Sequence, residues 1–183
     1  MIKLLGISGS LRSASFNTAL LRAAATLLPE DATLDVRTLH GIPLYDADVE
    51  ASAGIPAAVA ALKDAIAAAD GVVLATPEYN NSIPGVFKNG IDWLSRPPGD
   101  VKRVFTGRRI AVIGASPGGF GTILSQNAWL PVLRTLGTHP WFGERLMVSR
   151  AGNVFDERSD VKDASLQEQL RQFMQGFVEF VRG

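Results

Sequence analysis

Between Asp70 and Thr76 the chain reads Gly71-Val72-Val73-Leu74-Ala75, without one polar side chain. A strand turns successive side chains to opposite faces, so an apolar strand of this kind must be covered on both sides. Central strands of parallel sheets meet that condition, because their crossover helices pack on both faces. The remaining chain supplies such crossovers. Residues 2–8 form a short apolar run, and a Gly/Ser-rich segment follows from Gly9 to Ser15. Phe16, Ala19, Leu20, Ala23, Ala24, Leu27 and Leu28 then recur at helical spacing until Pro29, which marks one apolar helix face and its stop. Residues 33–39 alternate, with Leu34 and Val36 against Asp35 and Arg37, as a half-exposed edge strand does.

Residues 40–54 read as a long loop. Val59, Leu62, Ile66 and Ala69 share one helical face within 55–69, which leads into the apolar run. After the loop 76–83, Pro84 opens a helix whose stripe is Ile83, Val86, Phe87, Ile91 and Leu94; proline suits a first turn. A second loop is expected over 95–108, a strand over 109–114, and a helix over 122–136 with Pro131 as a kink. A fifth strand falls within 138–149, and Leu166 to Val181 carry the stripe of a last helix. Strands alternating with helices predict an α/β three-layer sandwich, a five-stranded parallel sheet of flavodoxin-like order 2-1-3-4-5, in one domain over 1–183.

Composition narrows the chemistry. Eighteen basic residues balance eighteen acidic ones, so nothing marks a nucleic-acid surface or a strongly acidic electron carrier. Cysteine is absent and histidine is limited to His40 and His139. Thiol nucleophiles, disulfides and iron–sulfur clusters are excluded, and no zinc-type cluster is visible. Redox chemistry here requires an organic cofactor. The first apolar run breaks at Gly6 to Ser8, short of a signal sequence, and no run approaches a membrane span. A cytoplasmic protein without membrane or nucleic-acid partners is the expectation.

In an open α/β sheet, ligands bind beyond the carboxyl ends of the strands at the switch point. Three unusual loops fall there: Ser8 to Asn17, Thr76 to Ser82, and Ser116 to Gly121. The first ends on a helix N-terminus, where free N–H groups favour an anion. Ser10, Ser13, Ser15 and Asn17 add donors, and Arg12 is its one charged residue. The same stretch also reads as a plain polar loop with Ser15 as N-cap. Pro77 and Tyr79 offer apolar surface to a flat ring, Asn80 offers ring-edge hydrogen bonds, and Gly118 and Gly119 permit close approach. Taken together, the three loops suit a mononucleotide.

Gly114-Ala-Ser-Pro-Gly118 matches a hydrolase nucleophile elbow. Pro117 has no N–H for the oxyanion hole, however, and no acid lies between Ser116 and His139 to complete the required order. A magnesium-dependent receiver would need carboxylates where this chain has Ser8 and Thr76. A dinucleotide-binding domain would need its glycine fingerprint.

Gly9-Ser-Leu-Arg12 with Ser15 and Asn17, Thr76-Pro-Glu-Tyr-Asn80 with Ser82-Ile-Pro-Gly85, Lys88-Asn89, Asp92-Trp93 and Ser116-Pro-Gly-Gly119 closely resemble the NAD(P)H-dependent FMN reductases. That family includes bacterial soluble quinone, chromate and azo-dye reductases. The similarity covers residues 1–140, is most specific over 76–94, and beyond 140 lies mainly in the last helix. It implies a flavodoxin-like dimer or tetramer that binds FMN noncovalently. It also implies ping-pong transfer of hydride from NADPH or NADH through FMN to a small acceptor. A one-electron carrier without NAD(P)H turnover is the alternative, which NADPH oxidation with a quinone would separate.

By the same resemblance, Ser10, Arg12, Ser15 and Asn17 hold the FMN phosphate. Pro77, Glu78, Tyr79 and Asn80 line the isoalloxazine, and Ser116, Gly118 and Gly119 support its other side. No residue is expected to act as a catalytic acid or base, and no metal is expected. Some relatives carry an aromatic residue where this chain has Asn81. Lys88, Asn89 and Asp92 suit a helix surface or an interface, and Trp93 a core or an interface. Tyr45 could pack locally or reach a neighbouring subunit's flavin. Phe120 could face the substrate or the core, and both histidines read as structural.

Overall fold

The computed structural model describes residues 1–158 and 160–183. The apolar run 71–75 is a strand at the centre of a parallel sheet. β1 is Ile2–Ser8, β2 Ala32–Thr38, β3 Gly71–Ala75, β4 Arg109–Ala115, β5 His139–Pro140 and β6 Leu146–Val148. The order is β2-β1-β3-β4-β5, with β6 also on β4, and every pairing is parallel. Register runs from Leu4↔Gly71 to Ser8↔Ala75 and from Gly71↔Arg109 to Ala75↔Ile113. The carboxyl ends of β1, β3 and β4 therefore finish together.

The period of two is visible in the core. Leu4, Val73, Ala75, Ala111 and Ile113 belong to one apolar layer, and Leu5, Ile7, Val72, Leu74 and Ile110 to the other. α1 (Phe16–Thr26) and α7 (Ala164–Arg182) cover the first layer, while α3 (Ala57–Ala68), α4 (Gly85–Leu94) and α6 (Ile123–Thr135) cover the second. Each large aliphatic or aromatic side chain so buried contributes about 1.5–3 kcal/mol relative to exposure. That is enough to fix which face each strand residue takes.

Three segments differ from the sequence expectation. Within 40–54 lies α2 (Ala47–Ala53), N-capped by Asp46 and holding no buried residue; with no apolar stripe it leaves no periodic signal. Within 95–108 lies α5 (Val101–Val104), preceded by a 3₁₀ turn at Pro98–Asp100. The edge is two short strands instead of one: β5 pairs with Arg109 and Ile110, β6 with Ile113 to Ala115, and after Trp141, whose N–H still bonds the Ile110 carbonyl, residues 142–145 leave the ladder between them. Pro131 lies inside α6, where it removes one helical N–H donor.

Lys63 on α3 was not singled out by the sequence, yet its side chain is only 2% exposed. It donates to Asp100 at 2.9 Å and to the Arg96 carbonyl, which pins the 95–100 segment. The 42–54 segment is fastened likewise. Asn89 accepts from Tyr45 N and donates to the Pro43 carbonyl, both at 2.8 Å, and Trp93 Nε1 donates to that carbonyl at 2.9 Å. Tyr45 packs edge-on against Trp93 at 5.0 Å. Asn89, Trp93 and Tyr45 are thus joined within one chain, while Lys88 and Asp92 form an exposed helical ion pair. His40 bonds the Thr38 hydroxyl, and the His139 ring lies 4.9 Å from that of Phe180.

Candidate functional site

The loop after β1 begins with a close approach. A side-chain carbon on Gly9 would sit 2.1 Å from the Phe87 ring, so only glycine lets the chain turn there. Gly9 N donates to the Ala75 carbonyl. From Ser10 to Asn17, Arg12 is the one residue whose backbone N–H has an acceptor among the described residues, namely Ser10 Oγ at 3.3 Å. The other N–H groups cluster ahead of and within the first turn of α1, a turn without an acidic side chain. Such donors, at the positive end of a helix dipole, make an anion site. Arg12 is exposed beside them and forms no ion pair among the described residues.

Two residues of this loop carry structural bonds. Ser15 is the N-cap, accepting from Thr18 N at 3.3 Å, and keeps its hydroxyl proton for a ligand. Asn17 is buried, and its carboxamide bonds both the N–H and the carbonyl of Ala115 at 2.9 Å. Its carbonyl and one N–H are spent on tying the first loop to the end of β4. What remains for a phosphate is one amide N–H and the backbone.

The loop after β3 is a tight hairpin. Tyr79 and Ser82 exchange both backbone hydrogen bonds, at 3.2 and 3.1 Å. Between them Asn80 and Asn81 have φ of 50° and 62°. Two central residues at positive φ are the mark of a type I′ turn, and asparagine tolerates that region. The hairpin lifts Tyr79 to 50% exposure, whereas Pro77 is buried, so the surface expected of Pro77 is not offered. The Glu78 side chain is engaged elsewhere. Its carboxylate accepts from Leu124 N and Ser125 N at 2.8 and 3.0 Å, which caps α6. Thr76 Oγ1 pairs with Ser125 Oγ at 2.8 Å, so the hairpin and the α6 N-terminus form one unit.

The loop after β4 is equally constrained. Gly114 passes so close to Thr76 that an added carbon would lie 2.3 Å from the Thr76 carbonyl. Ser116 Oγ accepts from Gly118 N at 3.0 Å and Ser116 N donates to the Val148 carbonyl. Gly118 and Gly119 are exposed, and Phe120 stands out at 84% exposure. His139 pairs with Arg109 at the opposite end of β4; at ~3.3 Å per strand residue that is about 20 Å from Ser116. A Ser116–His139 pair is therefore ruled out by distance as well as by sequence.

Three loops thus meet at one end of the sheet, joined by Asn17 to Ala115 and by Glu78 and Thr76 to α6. The charges in these loops are the exposed Arg12 and the engaged Glu78. The free N–H groups lie beside Arg12 at this end of the sheet, with the exposed Gly118, Gly119 and Tyr79 on the other two loops. Among the described residues no group of three histidine, cysteine or carboxylate side chains is placed to hold a metal ion.

A separate apolar groove of about 430 Å³ lies along α6, lined by Leu124, Leu130, Trp141, Phe142 and Met147 among others. None of the residues expected at the ligand site lines it. α6 buries Trp129 and Leu133 in the core while Ile123, Leu124 and Leu130 stay exposed. A helix with apolar residues on two faces is the sequence signal that would have found this groove.

The family profile described as NADPH-dependent FMN reductase matches residues 2–153. The chain is 44% identical over 181 residues to the NAD(P)H-dependent FMN reductase PA1204 of Pseudomonas aeruginosa, covering 99% of this chain and 96% of that one. It is 35% identical over 181 residues to a 2-hydroxy-1,4-benzoquinone reductase of a Burkholderia species, covering 99% and 97%. Among solved structures, the flavoenzyme NAD(P)H:(acceptor) oxidoreductase FerB of Paracoccus denitrificans superposes with a TM-score of 0.85 at 33% identity, over 100% of this chain and 98% of the other.

Proposed function

The chain belongs to the NADPH-dependent FMN reductase family, and from that premise we propose how its own residues serve an FMN-dependent NAD(P)H oxidoreductase that reduces quinones or similar small acceptors. Bound FMN supplies the chemistry, relaying hydride from NADPH or NADH to the acceptor. The polypeptide binds and orients. The observation that carries the reading is the row of backbone N–H groups from Ser10 to Asn17, all but that of Arg12 without an acceptor among the described residues, set on the α1 N-terminus beside Arg12.

These groups, with the Ser10 and Ser15 hydroxyls and the remaining Asn17 N–H, hold the phosphate. Tyr79 and Asn80 border the ring, and Ser116, Gly118 and Gly119 support its other side through backbone groups. Pro77 and Glu78 act indirectly, by shaping the hairpin and by holding α6 against it. With Glu78 engaged, no free carboxylate in these loops opposes negative charge on the bound ring, and nearby N–H dipoles favour it. One open face serves reductant and acceptor in turn, which is a ping-pong scheme. Residues 1–183 act as one domain in this reading.

We propose that the enzyme is a homo-oligomer that covers the exposed face of α6. Contiguous apolar surface of this kind suits an interface, and Glu144 and Arg145 beside the groove allow a two-fold contact to be self-complementary. Among the described residues no single helix is long and apolar enough to cross a membrane; dependence on NAD(P)H favours a cytoplasmic site of action. The reading is tested by titrating apoprotein with FMN and with riboflavin. Binding of FMN at least tenfold tighter supports the phosphate site, and equal affinities contradict it.

A further inference from the structure

Arg150 has a backbone that arginine avoids. Its φ is +47°, and among the described residues the other non-glycine positions with positive φ are Asn80 and Asn81 of the candidate site. Asparagine is at home in that region, whereas arginine gains nothing there. The conformation is held from outside. Arg150 N donates to the Gly118 carbonyl at 2.9 Å, Ala151 N to the Ser116 carbonyl at 3.0 Å, and Asn153 N to the Arg150 carbonyl at 2.8 Å. The turn is thereby clamped to the loop that supports the ring.

Its other side meets the phosphate cradle. Phe155, whose N–H bonds the Ala151 carbonyl, packs at 5.3 Å on Phe16, the first residue of α1. Arg150 therefore belongs to the seam between the α1 N-terminus and the Ser116–Gly119 loop. Its side chain is exposed. Like Arg12 and several other surface arginines, Arg150 has no carboxylate within ion-pair distance among the described residues. The nearby Asp156 has one carboxylate oxygen taken up by the N–H groups of Arg158 and Asp160. Backbone strain that surrounding structure enforces clusters at ligand sites, and a guanidinium matches a phosphate in a forked pair.

We propose that Arg150 is a phosphate-binding residue, a second guanidinium in addition to Arg12, that takes a phosphate monoester at this seam. The assignment rests on the functional reading above, which supplies two sources of that group: the 5′-phosphate of FMN and the 2′-phosphate of NADPH.

The test uses Arg150→Asn, which removes the charge yet tolerates positive φ, and Arg150→Lys, which keeps the charge. Dissociation constants of FMN and riboflavin are read by fluorescence titration of apoprotein, and KM is measured for NADPH and NADH. If the flavin is the source, Arg150→Asn weakens FMN at least tenfold, leaves riboflavin unchanged and leaves the ratio of the two KM values unchanged. If the reductant is the source, both flavin constants stay put and KM for NADPH alone rises at least tenfold. Arg150→Lys recovers part of either loss. Four unchanged constants overturn the assignment, as does equal loss of FMN and riboflavin together with a lower melting temperature. Wild-type protein that binds no flavin overturns the functional reading itself, and this assignment with it.

Discussion

Asn17 and Arg12 sit five residues apart in one loop and do different work. Asn17 braces that loop against Ala115 through two buried bonds. Asn17→Ala strands a buried N–H and a buried carbonyl, so it should lower unfolding free energy by about 1–3 kcal/mol in urea titrations and weaken FMN as a consequence. Arg12→Glu leaves the fold alone and sets like charge on the anion; FMN affinity should fall at least tenfold while riboflavin affinity holds. Ser116→Ala should keep most turnover, since that hydroxyl only accepts from Gly118 N. Loss of activity with FMN still bound would contradict it. The free donors of the first loop were legible in sequence because small polar residues ahead of a helix need no distant partner. The duties of Asn17, Glu78 and Lys63 were not, since each is set by a group 33 to 98 residues away.

At the scale of elements, the hairpin and the α2 latch are the parts that can be moved. Asn81→Val forces a β-branched residue to positive φ and should loosen the Tyr79–Ser82 pairing, raising backbone exchange there; Asn81→Gly should be tolerated. In the latch, Arg96 Nε and the Tyr45 hydroxyl both donate to Glu50. The bond from Arg96 first, and that from Tyr45 after it, hold the Glu50 carboxyl below its ordinary value of 4.5 against desolvation. A depressed carboxylate stabilises above its unfolded value and loses that contribution as pH falls through the depressed one. The bond to Glu50 raises Tyr45 above 10.0, so its contribution is full below pH 10 and is lost as pH rises through the raised value. Protection of Ala47–Ala53 in hydrogen exchange should therefore form a plateau between an acid and an alkaline limb. Glu50→Gln should flatten the acid limb, and an unchanged limb would remove Glu50 from the latch. α2 and α5 escaped the sequence because one buries nothing and the other is a single turn with one buried residue. The helices and strands that bury a stripe were legible. The broken edge was not, because a two-residue strand has no period.

For the whole molecule, the sheet order and the meeting of the three loops at its carboxyl end follow from an apolar central strand between amphipathic crossovers, and that much was written in the chain. The groove along α6 was not foreseen, and it bears on assembly. Light scattering at micromolar concentration should give at least twice the chain mass, and Leu130→Glu should reduce it to one chain; a wild-type monomer would contradict the interface. Initial rates with NADPH and a quinone should give parallel double-reciprocal lines, as the proposed alternation of reductant and acceptor on one face requires. The most direct measurement is anaerobic addition of one equivalent of NADPH to the FMN-loaded protein. The visible flavin absorbance should bleach within the time of one turnover and return on adding one equivalent of quinone; an absorbance that NADPH and NADH leave untouched would contradict the account.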